Sequence, residues 1–149
     1  MLKVSKLSDY ATVLMVRLAA EPQRVQSAAE LAEAARLEPP TVAKVLKLLA
    51  TAGLVDSFRG AAGGYRLALP VAQISIVQII EAIEGPIGMT ECSRREGQCS
   101  HESHCDVRAP WQRISGAVVQ SLSQIRLADM LAETPARPPP SDIAIQIHA

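Results

Sequence analysis

Apolar residues recur every three or four positions over the first third of the chain, a period that predicts helices. Tyr10, Val13, Leu14 and Leu18 form one stripe. They predict a first helix from an N-cap at Ser8 to about Ala20, where Glu21-Pro22 stops it. Ser27 and Glu30 stand at capping-box spacing ahead of Leu31 and Ala34, so a second helix follows to about Ala35. After a break at Arg36-Leu37-Glu38, Pro39 and Pro40 open a third helix, where proline's missing N–H has no helical partner to lose. Val42, Val45, Leu46 and Leu49 give that helix an inward face, and Gly53 suits a left-handed end. Thr41, Lys44 and Leu48 are expected to project together on the opposite side.

The period then changes. Leu54-Val55 and Tyr65 to Leu69 flank Arg59-Gly60-Ala61-Ala62-Gly63-Gly64, which predicts a β-hairpin with a glycine-rich tip. Ser75 caps a fourth helix, Ile76 to Glu84, with Ile76, Ile79, Ile80 and Ile83 as its apolar side, and Gly85-Pro86 ends it. Residues 86–108 have no periodicity. From about Ala109 a long helix is expected, because Trp111, Ile114, Val118, Leu122 and Ile125 keep a helical spacing towards Leu131. A lone helix cannot bury such a stripe, so its partner is either the body of the domain or a second copy. The end, from Thr134, reads TPARPPPSDIAIQIHA, and its proline run predicts a disordered tail over 134–149.

Composition sharpens this picture. Hydrophobic residues make up 48% of the chain and aromatics only 3%, so the core is aliphatic and the fold mainly helical, with a small β-wing. No apolar run approaches the roughly 20 residues of a membrane helix, and the start, MLKVSKLSDYA, has no signal core, so no membrane partner is expected. The expected location is the cytoplasm, where three cysteines read as thiols or metal ligands before they read as a disulfide framework. The formal net charge is zero, which removes any global argument for nucleic acid. Locally, five basic residues between Arg36 and Arg66 face two acidic ones, a balance of +3 over a short stretch.

Three short helices followed by a hairpin is the arrangement of a winged helix-turn-helix. A helix fits the major groove of double-stranded DNA, and a hairpin beside it reaches phosphates or the minor groove. Thr41 and Lys44 are candidates for base contact, Lys47 for phosphate, and Arg59 for the minor groove. A protein-interaction module would give the same pattern. The chain shows no nucleophile–base constellation and no phosphate loop, so no catalytic site and no small-molecule substrate are expected.

Cys92, Cys99 and Cys105 leave six and five residues between neighbours. Thiolates suit zinc and iron–sulfur clusters. Zinc ribbons usually pair cysteines two to four residues apart, and no such pair occurs here, so the wider spacing suits a loop around a larger object. Three thiolates leave one ligand to find, from His101, His104, Glu91, Glu102, a distant residue or a second subunit. A mononuclear zinc site, or a switch in which two cysteines form a disulfide, is the alternative.

The sequence resembles the IscR- and NsrR-like regulators, the Rrf-two family of winged-helix repressors, over residues 1 to about 131. VSKLSDYA at the start, GLVDSFRGAAGGYRLA in the wing, IIEAIEGP, and the three-cysteine loop ahead of a long helix carry the resemblance. EGPIGMTEC and GQCSHESHCDVRAPWQRI are most similar to regulators of the SUF iron–sulfur assembly operon. The resemblance implies a transcription repressor and a homodimer with crossing C-terminal helices. It implies Cys92, Cys99 and Cys105 as ligands of a two-iron (2Fe-2S) or four-iron (4Fe-4S) cluster, and Thr41, Val42, Ala43 and Arg59 at DNA-contacting positions. Some relatives place a histidine ligand three residues after the last cysteine, and this chain has Arg108 there. The fourth ligand is then expected from Asp9 of the partner subunit or from His104. The expected organisation is a DNA-binding domain over 1–84, a cluster loop over 85–108, a dimerisation helix over 109–133 and the tail.

Overall fold

Apolar side chains from four successive helices converge on one aliphatic core. The computed structural model describes residues 3–97 and 99–134. The first helix, α1 (Lys6–Ala20), starts two residues earlier than its apolar stripe suggests. Ser5 is the N-cap, and its hydroxyl accepts from the Ser8 N–H. Ser8 lies inside the helix and is fully buried, so the expected cap at Ser8 is corrected to Ser5. The second helix, α2 (Ala28–Ala35), carries the full capping box of Ser27 and Glu30. Its end is unusual: Arg36 takes a left-handed conformation (φ 55°) where glycine is the commoner choice. The third helix, α3 (Pro39–Thr51), has its prolines in the first turn.

Leu14, Met15 and Leu18 of α1, Leu31 of α2, and Val42, Val45, Leu46 and Leu49 of α3 are all buried to 1% exposure or less. Each such side chain contributes about 1.5–3 kcal/mol of burial. Two strands follow, β1 (Val55–Phe58) and β2 (Gly64–Leu67), paired antiparallel with Val55 opposite Leu67 and Phe58 opposite Gly64. Gln26 joins the hairpin through an isolated bridge to Tyr65, with N···O distances of 2.9 and 2.7 Å. That approach explains Gly64, since a Cβ there would lie 2.4 Å from the Gln26 carbonyl oxygen.

The fourth helix, α4 (Ile76–Glu84), is capped by Ser75 and Gln78 and buries Val77, Ile79 and Ile80. The next segment, expected to lack regular structure, contains one helical turn, α5 (Glu91–Arg94), and a 3-10 turn at Glu102–His104. The single helix expected over 109–133 is two helices, α6 (Arg108–Ser123) and α7 (Leu127–Glu133). The break has a physical cause. Ile76 N–H donates to the Ile125 carbonyl (3.0 Å) and Leu127 N–H to the Ile74 carbonyl (2.8 Å), so sheet-like bonds to the chain ahead of α4 replace helical ones. Leu127 then enters the core with no exposure, and α7 packs on α1. The body of the domain is thus the partner for the last part of the stripe. Trp111, Ile114 and Ile125 stay 37–43% exposed. The tail beyond Thr134 lies outside the described residues.

Candidate functional site

The outward face of α3 is polar and open. Pro40, Ala43, Lys47 and Thr51, spaced three or four apart, are all exposed, as is Lys44 beside them, while Thr41 and Leu48 lie half-buried on its flank. The expected stripe of Thr41, Lys44 and Leu48 is therefore rotated, with Ala43 and Lys47 nearer its centre. Val42 requires a correction: it has no exposure and belongs to the core, so its side chain does not reach DNA. Among the described residues Lys44, Lys47 and Arg59 make no ion pair, which leaves their charges free for phosphate. Arg59 is exposed just beyond β1, where the hairpin turns, and Gly60 (φ 99°) supplies the turn's left-handed step. In the wing, the Arg66 guanidinium lies 5.0 Å from the Phe58 ring centre, a cation–π contact that holds a basic group on its outer face.

The cysteine-bearing segment is built differently. Cys92 lies on α5 and is buried, whereas Cys99 and Cys105 are half-buried, and all three are free thiols. Among the described residues no group of three His, Cys, Asp or Glu side chains is gathered as a metal site. The donor chemistry of three unpaired thiols fits a cluster, but a single chain in this conformation does not assemble them. Asp9 is exposed on the first turn of α1 and His104 is exposed in the 3-10 turn. Each is open to a second subunit or to the loop, and neither joins the cysteines here.

Polar contacts hold this segment to its neighbours. Arg108 binds Glu102 (2.6 Å) and Glu96 (3.5 Å), and Glu102 also accepts from the Gly97 N–H (2.6 Å). The position that suggests a histidine ligand is thus occupied by an arginine that braces the loop. Arg94, two residues after Cys92, donates to the Pro86 and Glu84 carbonyls, each at 3.3 Å. The Glu84 carboxylate in turn accepts from the Ser8 hydroxyl and from the Ser5 N–H (3.2 Å), which ties the end of α4 to the start of α1. The Ser8 hydroxyl does most to hold the Glu84 carboxyl below the usual carboxylate range. Burial opposes it, and Ser5 and the charge of Arg94 add to the lowering. The sequence reading missed Glu84, Arg94 and Arg108 as links. Charged residues beside a helix-stopping Gly85-Pro86 and beside cysteines were the available signal.

Comparison with known proteins fixes the family. The model of the Rrf2 family, described as an iron-dependent transcriptional regulator, matches residues 4–133. The chain belongs to the Rrf2 family. Rrf2 proteins are transcriptional regulators rather than enzymes. An HTH-type transcriptional regulator of Haemophilus influenzae is 33% identical over 132 residues, covering 87% of each chain. The regulator IscR of Vibrio vulnificus is 27% identical over 133 residues, 89% of this chain and 79% of that one. The chain spans 57% of the length of two HTH-type regulators of Neisseria meningitidis that it matches at 35% identity. Among solved structures, CymR, the global cysteine regulator of B. subtilis, superposes with a TM-score of 0.71 at 31% identity, covering 90% of this chain and 99% of that one. T. potens IscR does so at 0.67 and 29% identity, covering 92% and 94%. The mainly helical fold with a two-stranded wing is the winged-helix fold of these Rrf2 regulators. Among the described residues no helix is long and apolar enough to cross a membrane.

Proposed function

We propose that this chain is a homodimeric repressor that binds a double-stranded operator and changes its affinity with the state of an iron–sulfur cluster on Cys92, Cys99 and Cys105. The genes of SUF-type cluster assembly are its target. The observation that carries this reading is the pairing of an unneutralised basic helix face with three free thiols in one adjoining segment. The family's description as iron-dependent supports it. Such a regulator works at the chromosome, which puts it in the cytoplasm.

In this reading α3 enters the major groove. Lys44 meets base edges and Lys47 a phosphate, Thr41 and Ala43 touch bases from the helix start, and Arg59 follows the minor groove. The exposed Trp111 and Ile114 of α6 meet a second copy, which sets the two recognition helices to half-sites about 34–36 Å apart. When bound, a cluster supplies iron atoms for the three thiolates to coordinate, with Asp9 of the partner subunit or His104 completing the set. The chain's own part is to hold Cys92 in place on α5 and to let Cys99 and Cys105 come to it.

A second reading is favoured by the fact that the thiols are free and ungathered, and by the likeness to CymR, one of whose solved structures is an oxidised form. There the input is thiol oxidation, with zinc as a further alternative. One experiment separates the readings. Apo and anaerobically reconstituted protein are titrated against the promoters of cluster-assembly genes, with iron Mössbauer spectra recorded on the same samples. The expected result is an iron–sulfur spectrum and a difference in affinity of about 5–150-fold between the two forms. Equal affinities, or protein that takes up zinc and no iron, would overturn the cluster reading.

A further inference from the structure

Ser115 is a buried hydroxyl (4% exposed) on α6, a helix with an otherwise open surface. A buried hydroxyl must find partners, and Ser115 finds them on the cysteine-bearing segment. It accepts from the Met89 N–H (3.0 Å), and its own hydroxyl donates to Ser93 Oγ (2.9 Å). Ser93 Oγ also accepts from the Thr90 N–H (2.9 Å) and lies 2.9 Å from both the Thr90 carbonyl oxygen and Thr90 Oγ1. Thr90 Oγ1 lies 3.3 Å from Cys92 Sγ.

Counting hydrogens orders these contacts. A hydroxyl has one hydrogen and two lone pairs. Both lone pairs of Ser93 are taken, by the Thr90 N–H and by Ser115, so its hydrogen goes to the Thr90 carbonyl oxygen, with Thr90 Oγ1 alongside at the same distance. The Thr90 hydroxyl then has no lone pair of Ser93 to donate to and lies against Cys92 Sγ, where it donates to a thiolate or accepts from a thiol. The result is a connected set of polar contacts from the Met89 amide through Ser115, Ser93 and Thr90 to the sulfur, and links in such a network polarise one another.

We propose that Thr90, Ser93 and Ser115 are positioning residues that couple the state of the Cys92 sulfur to α6. The inference rests on the reading that Cys92 takes part in sensing, and it serves a cluster or an oxidised thiol alike. A thiolate bound to metal is a strong acceptor for the Thr90 hydroxyl, and partners beyond the direct ligands orient those ligands. A sulfur drawn into a disulfide or moved to another ligand set releases the relay. Its far end is Ser115, one residue from Ile114 on the exposed face of α6, so release loosens α5 from the helix that meets the second copy.

The test uses the full chain with Ser115→Ala, with Thr90→Val, which keeps the shape and loses the hydroxyl, and with Thr90→Ser, which restores it. The first measurement is amide hydrogen exchange on reduced apo protein. Exchange over residues 89–94 should rise in Ser115→Ala and Thr90→Val, return to wild type in Thr90→Ser, and stay unchanged over α1 to α4. The second is the ratio of affinities of reconstituted and apo protein for a duplex that the wild type selects from randomised DNA. Ser115→Ala should bring that ratio to within about twofold of one while apo affinity holds, against about 5–150-fold in wild type. Unchanged exchange over 89–94, or an undiminished ratio in both Ser115→Ala and Thr90→Val, overturns the relay while leaving the sensing reading intact. A wild-type ratio of one overturns the sensing reading and the coupling with it, whatever the exchange shows. Should Ser115→Ala disturb α1 to α4, the Thr90 pair decides.

Discussion

The winged-helix body and the cysteine-bearing segment are held by different forces. From Ser5 to Glu84 the chain is organised by fully buried aliphatic side chains and by helices with serine caps at α1, α2 and α4. Among the described residues from Gly85 to Val107 only Cys92 is buried, and the contacts are hydroxyls, carbonyls and two arginines. Aliphatic packing is non-directional and loses energy with every missing methylene, so it fixes one arrangement. Polar links at the surface are individually weak and exchange readily with water, so they let a segment rearrange without unfolding its neighbour. The body fixes the outward face of α3, the face that the proposed function turns to DNA, and the polar links of the segment beside it can exchange.

The largest effect should come from the body. Leu49→Ala removes a fully buried side chain from the inner face of α3 and should destabilise the protein by about 2–5 kcal/mol, read by thermal or denaturant unfolding. Met89→Ala, exposed in the cysteine-bearing segment, should stay within about 0.5 kcal/mol of wild type. Comparable losses at the two positions would erase the distinction between the regions.

The same contrast explains what was legible in the sequence. Periodicity marked α2, α3 and α4 within a residue or two, because Leu31, Val42, Leu49 and Ile79 repeat at helical spacing for a reason of packing. The hairpin followed from the glycines around Arg59. Where bonds came from elsewhere in the chain, the pattern misled. Ile125 continues the α6 stripe, yet its carbonyl and the Leu127 N–H pair with residues 76 and 74, an arrangement that no local period encodes. Ser8 resembled a cap because serines favour caps, but Ser5 holds that place and Ser8 turns inward to Glu84. The three cysteines were visible as residues. The relay that reaches Cys92 from Ser115 was not, because it joins positions more than twenty residues apart through hydroxyls that any surface helix could carry.

A smaller effect should come from the brace of the segment itself. Arg108→Ala removes the ion pairs to Glu102 and Glu96, both partly in contact with solvent, so global stability should fall by less than about 1 kcal/mol. The loss should appear locally, as faster amide exchange over residues 97–105 with α1 to α4 unaffected. An Arg108→Ala protein as unstable as Leu49→Ala would mean that the segment is part of the core, contrary to its burial.

The smallest and most specific effect lies at the boundary between the regions, at Glu84. Its carboxyl titrates below the usual range in the folded protein, chiefly because the Ser8 hydroxyl bonds the ionised form. A carboxylate with a lowered folded pKa binds fewer protons than its unfolded counterpart, so its stabilisation is present at neutral pH. That stabilisation is lost as pH falls from the ordinary carboxylate range through the lower folded value. Glu84→Gln keeps an oxygen to accept from Ser8 and Ser5 but removes the charge. The variant should therefore be slightly less stable than wild type at neutral pH, and the two should converge in acid, as read from unfolding midpoints across pH. A difference that persisted undiminished below the carboxylate range would show that Glu84 acts by shape alone, and that the start of α1 and the end of α4 are joined without help from its charge.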